Sequence, residues 1–266
     1  MVKKIIDFGK LKKQANDIRQ MIIQRASVDS GHCASPLGVV ELTQALIEVY
    51  DFTKDKIVFD VGHQAHAYKI LTGRKNRYFT MSKKKGIAAY PDIFESSFDF
   101  YNTGHSATSV SAALGLSINH KEYKSIAVVG DGALTGGEVY EALNQAGQLR
   151  TNLLVIYNDN GMSIKKNVGN LTNKKQIEFF SKSLGFEYKG IIDGHDTKLL
   201  ISELEKIKLI KSPVFLHIKT IKGKGYKHAE NEPDRFHWPA PYNIETGQPK
   251  NSTTGESFLP ITIEKE

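Results

Sequence analysis

Residues 128–164 read VVGDGALTGGEVYEALNQAGQLRTNLLVIYNDNGMSI. An apolar run ends at Gly130-Asp131-Gly132, a helical stretch is predicted over 137–146, and a second apolar run over 153–157 ends at Asn158-Asp159-Asn160. Two short apolar runs joined by a helix form a strand–helix–strand unit whose strands are parallel, so the two polar ends open onto one crevice. The glycines permit a tight turn and close approach of a ligand, and the helix starting near Gly137 aims its positive end at the same place.

The same alternation extends in both directions. Helices are predicted over 11–29, where Leu11, Ala15, Ile18, Ile22 and Ala26 recur every three or four residues, and over 39–50 and 65–71, the last stopped by Gly73. IVFDV, residues 57–61, reads as a strand. Beyond a helix over 108–119 and a strand over 126–129 come a helix over 176–183, a strand over 188–192, a helix over 198–210 and a strand over 214–219. Strands of four to six apolar residues separated by helices predict an α/β fold, a doubly wound parallel sheet with helices on both faces. From residue 223 the prolines at 233, 239, 241, 249 and 260 break the pattern. The expected organisation is one domain over 1–222 and a loop-rich arm over 223–266.

Composition excludes several classes. The 266 residues are 40% hydrophobic and 24% charged, ordinary for a globular chain. The single cysteine, Cys33, forms no internal disulfide, MVKKIIDFGK lacks the core of a signal peptide, and no run approaches the roughly 20 apolar residues that cross a bilayer. A cytoplasmic location without membrane attachment is expected. The net charge of +7 comes from scattered lysines, among them Lys83 to Lys85 and the group Lys222, Lys224 and Lys227, read as solvated. They are not interleaved with an aromatic platform, which argues against nucleic acid, and their field favours anionic, phosphorylated small molecules.

A dinucleotide loop is the obvious competitor for Gly130-Asp131-Gly132, but its G-x-G-x-x-G spacing is not met. A carboxylate beside a diphosphate repels it unless a cation lies between. Asp131 and Asn160 offer hard oxygen atoms suited to octahedral Mg²⁺, with phosphate oxygens completing the shell. A metal-bridged diphosphate is the better reading.

GDG followed 29 positions later by Asn160 resembles the signature of thiamine diphosphate enzymes. SGHCASPLGVVELTQAL, FDVGHQAHAYKILTGR, NTGHSATSVSAALG and IKTIKGKGYKHAE are similar to successive motifs of the 1-deoxy-D-xylulose-5-phosphate synthase branch of the transketolase family, over roughly residues 10–250. The resemblance implies that Asp131, Asn160 and the main-chain oxygen of Met162 bind Mg²⁺. It sets Gly132 and Ala133 against the diphosphate of thiamine diphosphate, with His63, Gly104, His105, Ser106 and Tyr226 also touching the cofactor. His32 and His237 face the substrate, and His32, His63 and His237 are the catalytic candidates. Of nine histidines, His32, His63 and His105 follow glycines in loops that reach a cleft. Imidazole there can move protons near neutral pH. His66, His120, His195, His217 and His228 are read as surface or satisfied core residues.

The implied activity is condensation of pyruvate with an aldose phosphate, glyceraldehyde 3-phosphate, with loss of CO₂. The alternatives are a split transketolase-type enzyme moving a ketol unit between sugar phosphates and a non-catalytic cofactor-binding subunit. Two departures stand out. The stretch after NDNGMSI has no long insertion, and the chain carries no counterpart of the pyrimidine-binding and C-terminal domains. A second polypeptide supplying both is therefore expected, in a hetero-oligomer with two or more copies of each chain.

Overall fold

The computed structural model describes residues 5–104, 106–171 and 173–250. Helix α1 (Phe8–Val28) opens where the Asp7 side chain accepts from the main-chain nitrogen of Lys10. It buries Leu11, Ala15, Ile18, Ile22 and Ala26, the stripe seen in the sequence. There follow α2 (Ala34–Leu37), α3 (Val40–Val49), β1 (Lys56–Asp60), α4 (His66–Lys69), α5 (Ser109–Asn119), β2 (Ser125–Gly130) and α6 (Gly137–Leu149). The order continues with β3 (Leu153–Asp159), α7 (Lys174–Ser183), β4 (Glu187–Asp193), α8 (Thr197–Lys208), β5 (Val214–Lys219) and α9 (Lys227–Asn231).

All five strands pair in parallel in the order β1-β2-β3-β5-β4. Alternate residues of each inner strand enter opposite cores. Ile57, Phe59, Ile126, Val128, Leu154 and Ile156 pack with α3 and α8 on one face. Val58, Ala127, Val129, Val155 and Tyr157 pack with α5, α6 and Ile177 of α7 on the other. Burial on both faces explains why these strands read as continuous apolar runs rather than as alternating ones. The predicted parallel sheet covered on both faces is the observed architecture.

Register places the strand ends together. Asp60 pairs with Val129, Gly130 with Asn158 and Asp159 with Lys219, so the loops after β1, β2, β3 and β5 leave the sheet side by side. The helix expected over 65–71 is shorter, because regular α-helix holds only over His66–Lys69 before wider and tighter turns, with Gly73 at φ +92° closing the segment. Residues 223–250 lie along α1. Tyr226, Ala229, Phe236 and Tyr242 join Ile18, Ile22 and Ile23 in a third core cluster. Tyr242 donates its main-chain nitrogen to the Ser27 carbonyl at 3.1 Å and its hydroxyl to the Ile23 carbonyl at 3.1 Å. Among the described residues no helix is long and apolar enough to cross a membrane.

Candidate active site

A cleft of about 290 Å³ opens at the carboxyl ends of the strands, the position where parallel α/β sheets bind ligands. His63 and Gln64 reach it from the loop after β1, Gly130 to Ala133 from β2, Asn158, Asn160 and Met162 to Ile164 from β3, and Lys222 from the loop after β5. Ser35, Ser106 and His237 complete the wall used below.

Asp131 ties two of these loops together. Its Oδ2 accepts from the main-chain nitrogens of Asn160 at 2.8 Å, Gly161 at 2.5 Å and Met162 at 3.2 Å, and its Oδ1 accepts from Gly132 at 2.8 Å. Burial pushes the Asp131 carboxyl above its ordinary value, against hydrogen bonds from the Asn167 side chain and the Asn160 and Gly161 main chain. The Asn160 amide oxygen accepts from the Met162 nitrogen at 3.3 Å. The turn that follows closes through Ser163 N to Lys165 O and Asn167 N to Gly161 O, neither of which uses the Met162 carbonyl. Gly132 presses on this turn, since a Cβ there would lie 2.6 Å from Ser163 Cβ.

These donors suit Mg²⁺ only in company. Among the described residues no group of three His, Cys, Asp or Glu side chains is placed to hold a metal ion. One carboxylate, one amide and one main-chain oxygen form a hard but incomplete set, which a cation that keeps waters and phosphate oxygens can use. A buried carboxylate whose charge is disfavoured gains from such a cation. Helix α6 starts where the sequence places it, but its first residues do not line the cleft. The helix begins at Gly137, past a short turn over Ala133–Thr135, and it is Gly132 and Ala133 that line the cleft.

Three histidines singled out in the sequence converge. The His32 ring stacks on His63 with centroids 4.2 Å apart and meets His237 edge-on at 5.0 Å, while His63 and His237 lie 5.4 Å apart. His63 and His237 line the cleft and His32 stands against both. Burial, then the neighbouring His32 and His237, hold His63 well below the ordinary imidazole value, so its ring is neutral. Its Nδ1 is buried with no hydrogen-bond partner among the described residues, an orphaned polar atom that a ligand in the cleft can satisfy. His237 Nδ1 lies 3.5 Å from the Ser35 hydroxyl.

Other candidates divide. Ser106 lines the cleft at φ +48°, followed by Ala107 at φ +73°. Gly104 is exposed and outside the lining set, and His105 lies outside the described residues. Tyr226 is not at the cleft. Its hydroxyl donates to the Ile244 carbonyl at 2.9 Å and its ring packs on Phe236 and Tyr242, with burial raising the phenol to about 12. His66, His217 and His228 bond to the Tyr78 hydroxyl, to Tyr188 and Asp159, and to the Glu245 carbonyl respectively, away from the cleft lining.

The sequence reading passed over several cleft residues. Lys222, grouped there with solvated lysines, is buried, its Nζ donating to the Ser163 carbonyl and its pKa lowered by burial to about 8. It is the sole lysine or arginine among the described residues lining the cleft. Gln64 and Asn158 stitch three strand ends together. Gln64 Nε2 donates to the Asp60 carbonyl at 2.5 Å, Asn158 Nδ2 to Gln64 Oε1 at 2.8 Å, and Thr220 Oγ1 to Asn158 Oδ1 at 2.5 Å. Trp238 meets the His32 ring at 4.5 Å. The available signal was position, since Asn158 and Lys222 stand at or just beyond the carboxyl end of an apolar strand.

The family model described as 1-deoxy-D-xylulose-5-phosphate synthase matches residues 2–178 and 172–220. The chain belongs to the 1-deoxy-D-xylulose-5-phosphate synthase family. It is similar to synthases of Alkaliphilus oremlandii, at 40% identity over 98% of this chain and 50% of that protein, and of Clostridium acetobutylicum, at 41% over 90% and 46%. The chain thus spans about half the length of these synthases. Among solved structures, transketolase from Campylobacter jejuni superposes with a TM-score of 0.75 at 25% identity, covering 88% of this chain and 41% of that one. The R525L transketolase of Pichia stipitis, at 19% identity and a TM-score of 0.75, shares the fold. The alignment with the Alkaliphilus synthase spans 314 residues against about 261 contributed by this chain (98% of 266), so the longer synthase carries some fifty residues without counterpart here. The family match comes in two segments that overlap at 172–178, shortly after the cleft turn at 161–167.

Proposed function

We propose that this chain supplies the diphosphate-binding half of a thiamine diphosphate and Mg²⁺-dependent 1-deoxy-D-xylulose-5-phosphate synthase, a transferase that condenses pyruvate with glyceraldehyde 3-phosphate and releases CO₂. One observation carries the reading: four parallel strand ends bring Asp131, Asn160, Lys222 and His63 to a single cleft. Asp131, Asn160 and the Met162 carbonyl hold Mg²⁺. Gly132, Ala133 and the Lys222 ammonium receive the diphosphate, with Ser106 closing the wall. Bound there, the cofactor supplies the electron sink for decarboxylation. Neutral His63 presents an unpaired nitrogen to the ligand, and His32 and His237, in ring contact with it, serve proton transfer on the substrate side.

The remainder of the active site comes from a second polypeptide carrying the half of the longer synthases that this chain does not span, in an assembly with several copies of each. Sequence identity near 40% to synthases, against 25% or less to transketolases, favours pyruvate over a ketose phosphate as donor. Co-expression with the complementary half, then assay of CO₂ release from pyruvate with and without glyceraldehyde 3-phosphate, tests the proposal. Ketol transfer between sugar phosphates without CO₂ would point to the transketolase-type alternative. Failure of the chain and its complement to bind thiamine diphosphate in Mg²⁺ would overturn the proposal altogether.

A further inference from the structure

The loop that carries Lys222 into the cleft is gripped from behind by three side chains from distant parts of the chain. Arg19 of α1 donates Nε to the Lys224 carbonyl at 2.9 Å and Nη2 to the two Glu41 carboxylate oxygens at 2.5 and 2.6 Å. Glu41, in the first turn of α3, also lies 3.2 Å from His195 Nδ1, and His195 Nε2 lies 2.8 Å from the main-chain nitrogen of Ile221. The side chains of Arg19, Glu41 and His195 are 8%, 12% and 11% exposed. Gly225, at φ +81°, lets Arg19 through, because a Cβ there would lie 2.7 Å from Arg19 Cδ.

The bonding order follows from elementary donor rules. A main-chain N–H only donates, so His195 Nε2 accepts from Ile221, the ring hydrogen sits on Nδ1, and Nδ1 donates to Glu41. Burial alone raises the Glu41 carboxyl, but the His195 hydrogen bond and the Arg19 charge outweigh it and hold it below its ordinary value, ionised. An ionised Glu41 fixes the His195 tautomer, and that tautomer presents the acceptor to Ile221. Lys222 stands between the two main-chain groups so held, Ile221 N and Lys224 O.

We propose that Glu41, Arg19 and His195 are positioning residues that set the Ile221–Lys224 loop, and through it the Lys222 ammonium, in the anion-binding cleft. The inference rests on the reading of that cleft given above. A neutral imidazole bonds at both edges at once. Asparagine reproduces only the Nδ1 position and loses the acceptor for Ile221, whereas glutamine reproduces the Nε2 position and keeps it. Glu41→Gln faces the Nδ1 hydrogen with an amide that also donates, which releases the tautomer.

Hydrogen exchange of the full chain over residues 220–226, paired with calorimetric titration of Mg²⁺ and inorganic diphosphate, tests this in His195→Asn, His195→Gln, Glu41→Gln and Lys222→Met. His195→Asn and Glu41→Gln are expected to speed exchange in this loop about fivefold, the worth of one hydrogen bond. Exchange in β2 and β3 stays as in wild type, and diphosphate affinity falls by a similar factor. His195→Gln returns both toward wild type. Equal behaviour of the Asn and Gln variants, or unchanged exchange at 220–226, would overturn the proposal. So would a loosened loop that leaves diphosphate affinity intact while Lys222→Met loses it. A Lys222→Met variant with wild-type diphosphate affinity would instead overturn the cleft reading, and with it this role for Lys222, whatever the exchange shows.

Discussion

The Asp131 carboxylate holds the main-chain nitrogen of Asn160 at 2.8 Å, joining the loop after β2 to the loop after β3 with the side chain proposed above as a ligand to Mg²⁺. Asp131 therefore acts in the fold as well as in the site. Asp131→Ala leaves the part-buried main-chain N–H groups of Gly132, Asn160 and Gly161 without their side-chain acceptor and is expected to cost about 1–2 kcal/mol of stability. It also abolishes Mg²⁺-dependent diphosphate binding. Asp131→Asn keeps one acceptor, so it regains part of the stability while binding stays lost. Urea denaturation beside calorimetry separates the two effects. Recovery of Mg²⁺-dependent affinity in Asp131→Asn would argue against a charged metal ligand here.

His63 gives stability a pH dependence whose sign is set by burial. Burial holds it neutral in the fold, far below the 6.5 of an exposed imidazole. On acidification the unfolded chain takes up the proton first, so this contribution is complete above pH 6.5 and lost as pH falls below it. The limiting slope is about 1.4 kcal/mol per pH unit. His66, buried with its pKa lowered chiefly by burial, adds in the same direction. Denaturation of wild type and His63→Gln at pH 7.5 and 5.5 is expected to show a shallower loss in the variant. Parallel losses would mean that His63 is charged in the fold.

Tyr226 separates the resemblance from the geometry. Its hydroxyl donates to the Ile244 carbonyl, inside the third core cluster and away from the cleft. Tyr226→Phe is expected to lower stability by about 1 kcal/mol and to leave diphosphate affinity unchanged. A thermal melt and a titration on one preparation decide this, and a clear drop in affinity at unchanged stability would return Tyr226 to the cofactor site.

What could be read from the sequence follows the physics of each element. Strands such as 153–157 are buried on both faces, so their apolar runs announce them. GDG and NDN mark the site because polar residues and glycine interrupt such runs at strand ends. Tyr226 sits in a proline-broken tail, where its burial depends on Phe236 and Tyr242, partners that no local period reveals. Lys222 is hidden by its neighbours: Lys224 and Lys227 share its composition, and only the register of β5 beside β3 sends Lys222 inward. The short turn at 161–167 was visible as a missing insertion, but not that Asn167 reaches Asp131.

Lys222 is the residue whose charge the cleft should feel most directly. Burial lowers its ammonium to about 8, with Asp131 opposing the shift. An ammonium attracts diphosphate only while protonated, so affinity is expected to hold near pH 7 and to weaken as pH rises through 8. Lys222→Met removes that component and leaves a weaker, flatter profile, with loss of about tenfold or more at pH 7, in line with a hydrogen bond to a charged group. Lys224→Met serves as the control, because Lys224 belongs to the same basic cluster but does not line the cleft. Titrations of Mg²⁺ and inorganic diphosphate at pH 7, 8 and 9, repeated at two salt concentrations, distinguish a seated charge from a diffuse basic field. A diffuse field is screened over roughly 10 Å at 0.1 M salt, so it would weaken wild type, Lys222→Met and Lys224→Met alike. A seated Lys222 predicts that wild type and Lys224→Met keep the pH-dependent step in high salt while Lys222→Met lacks it.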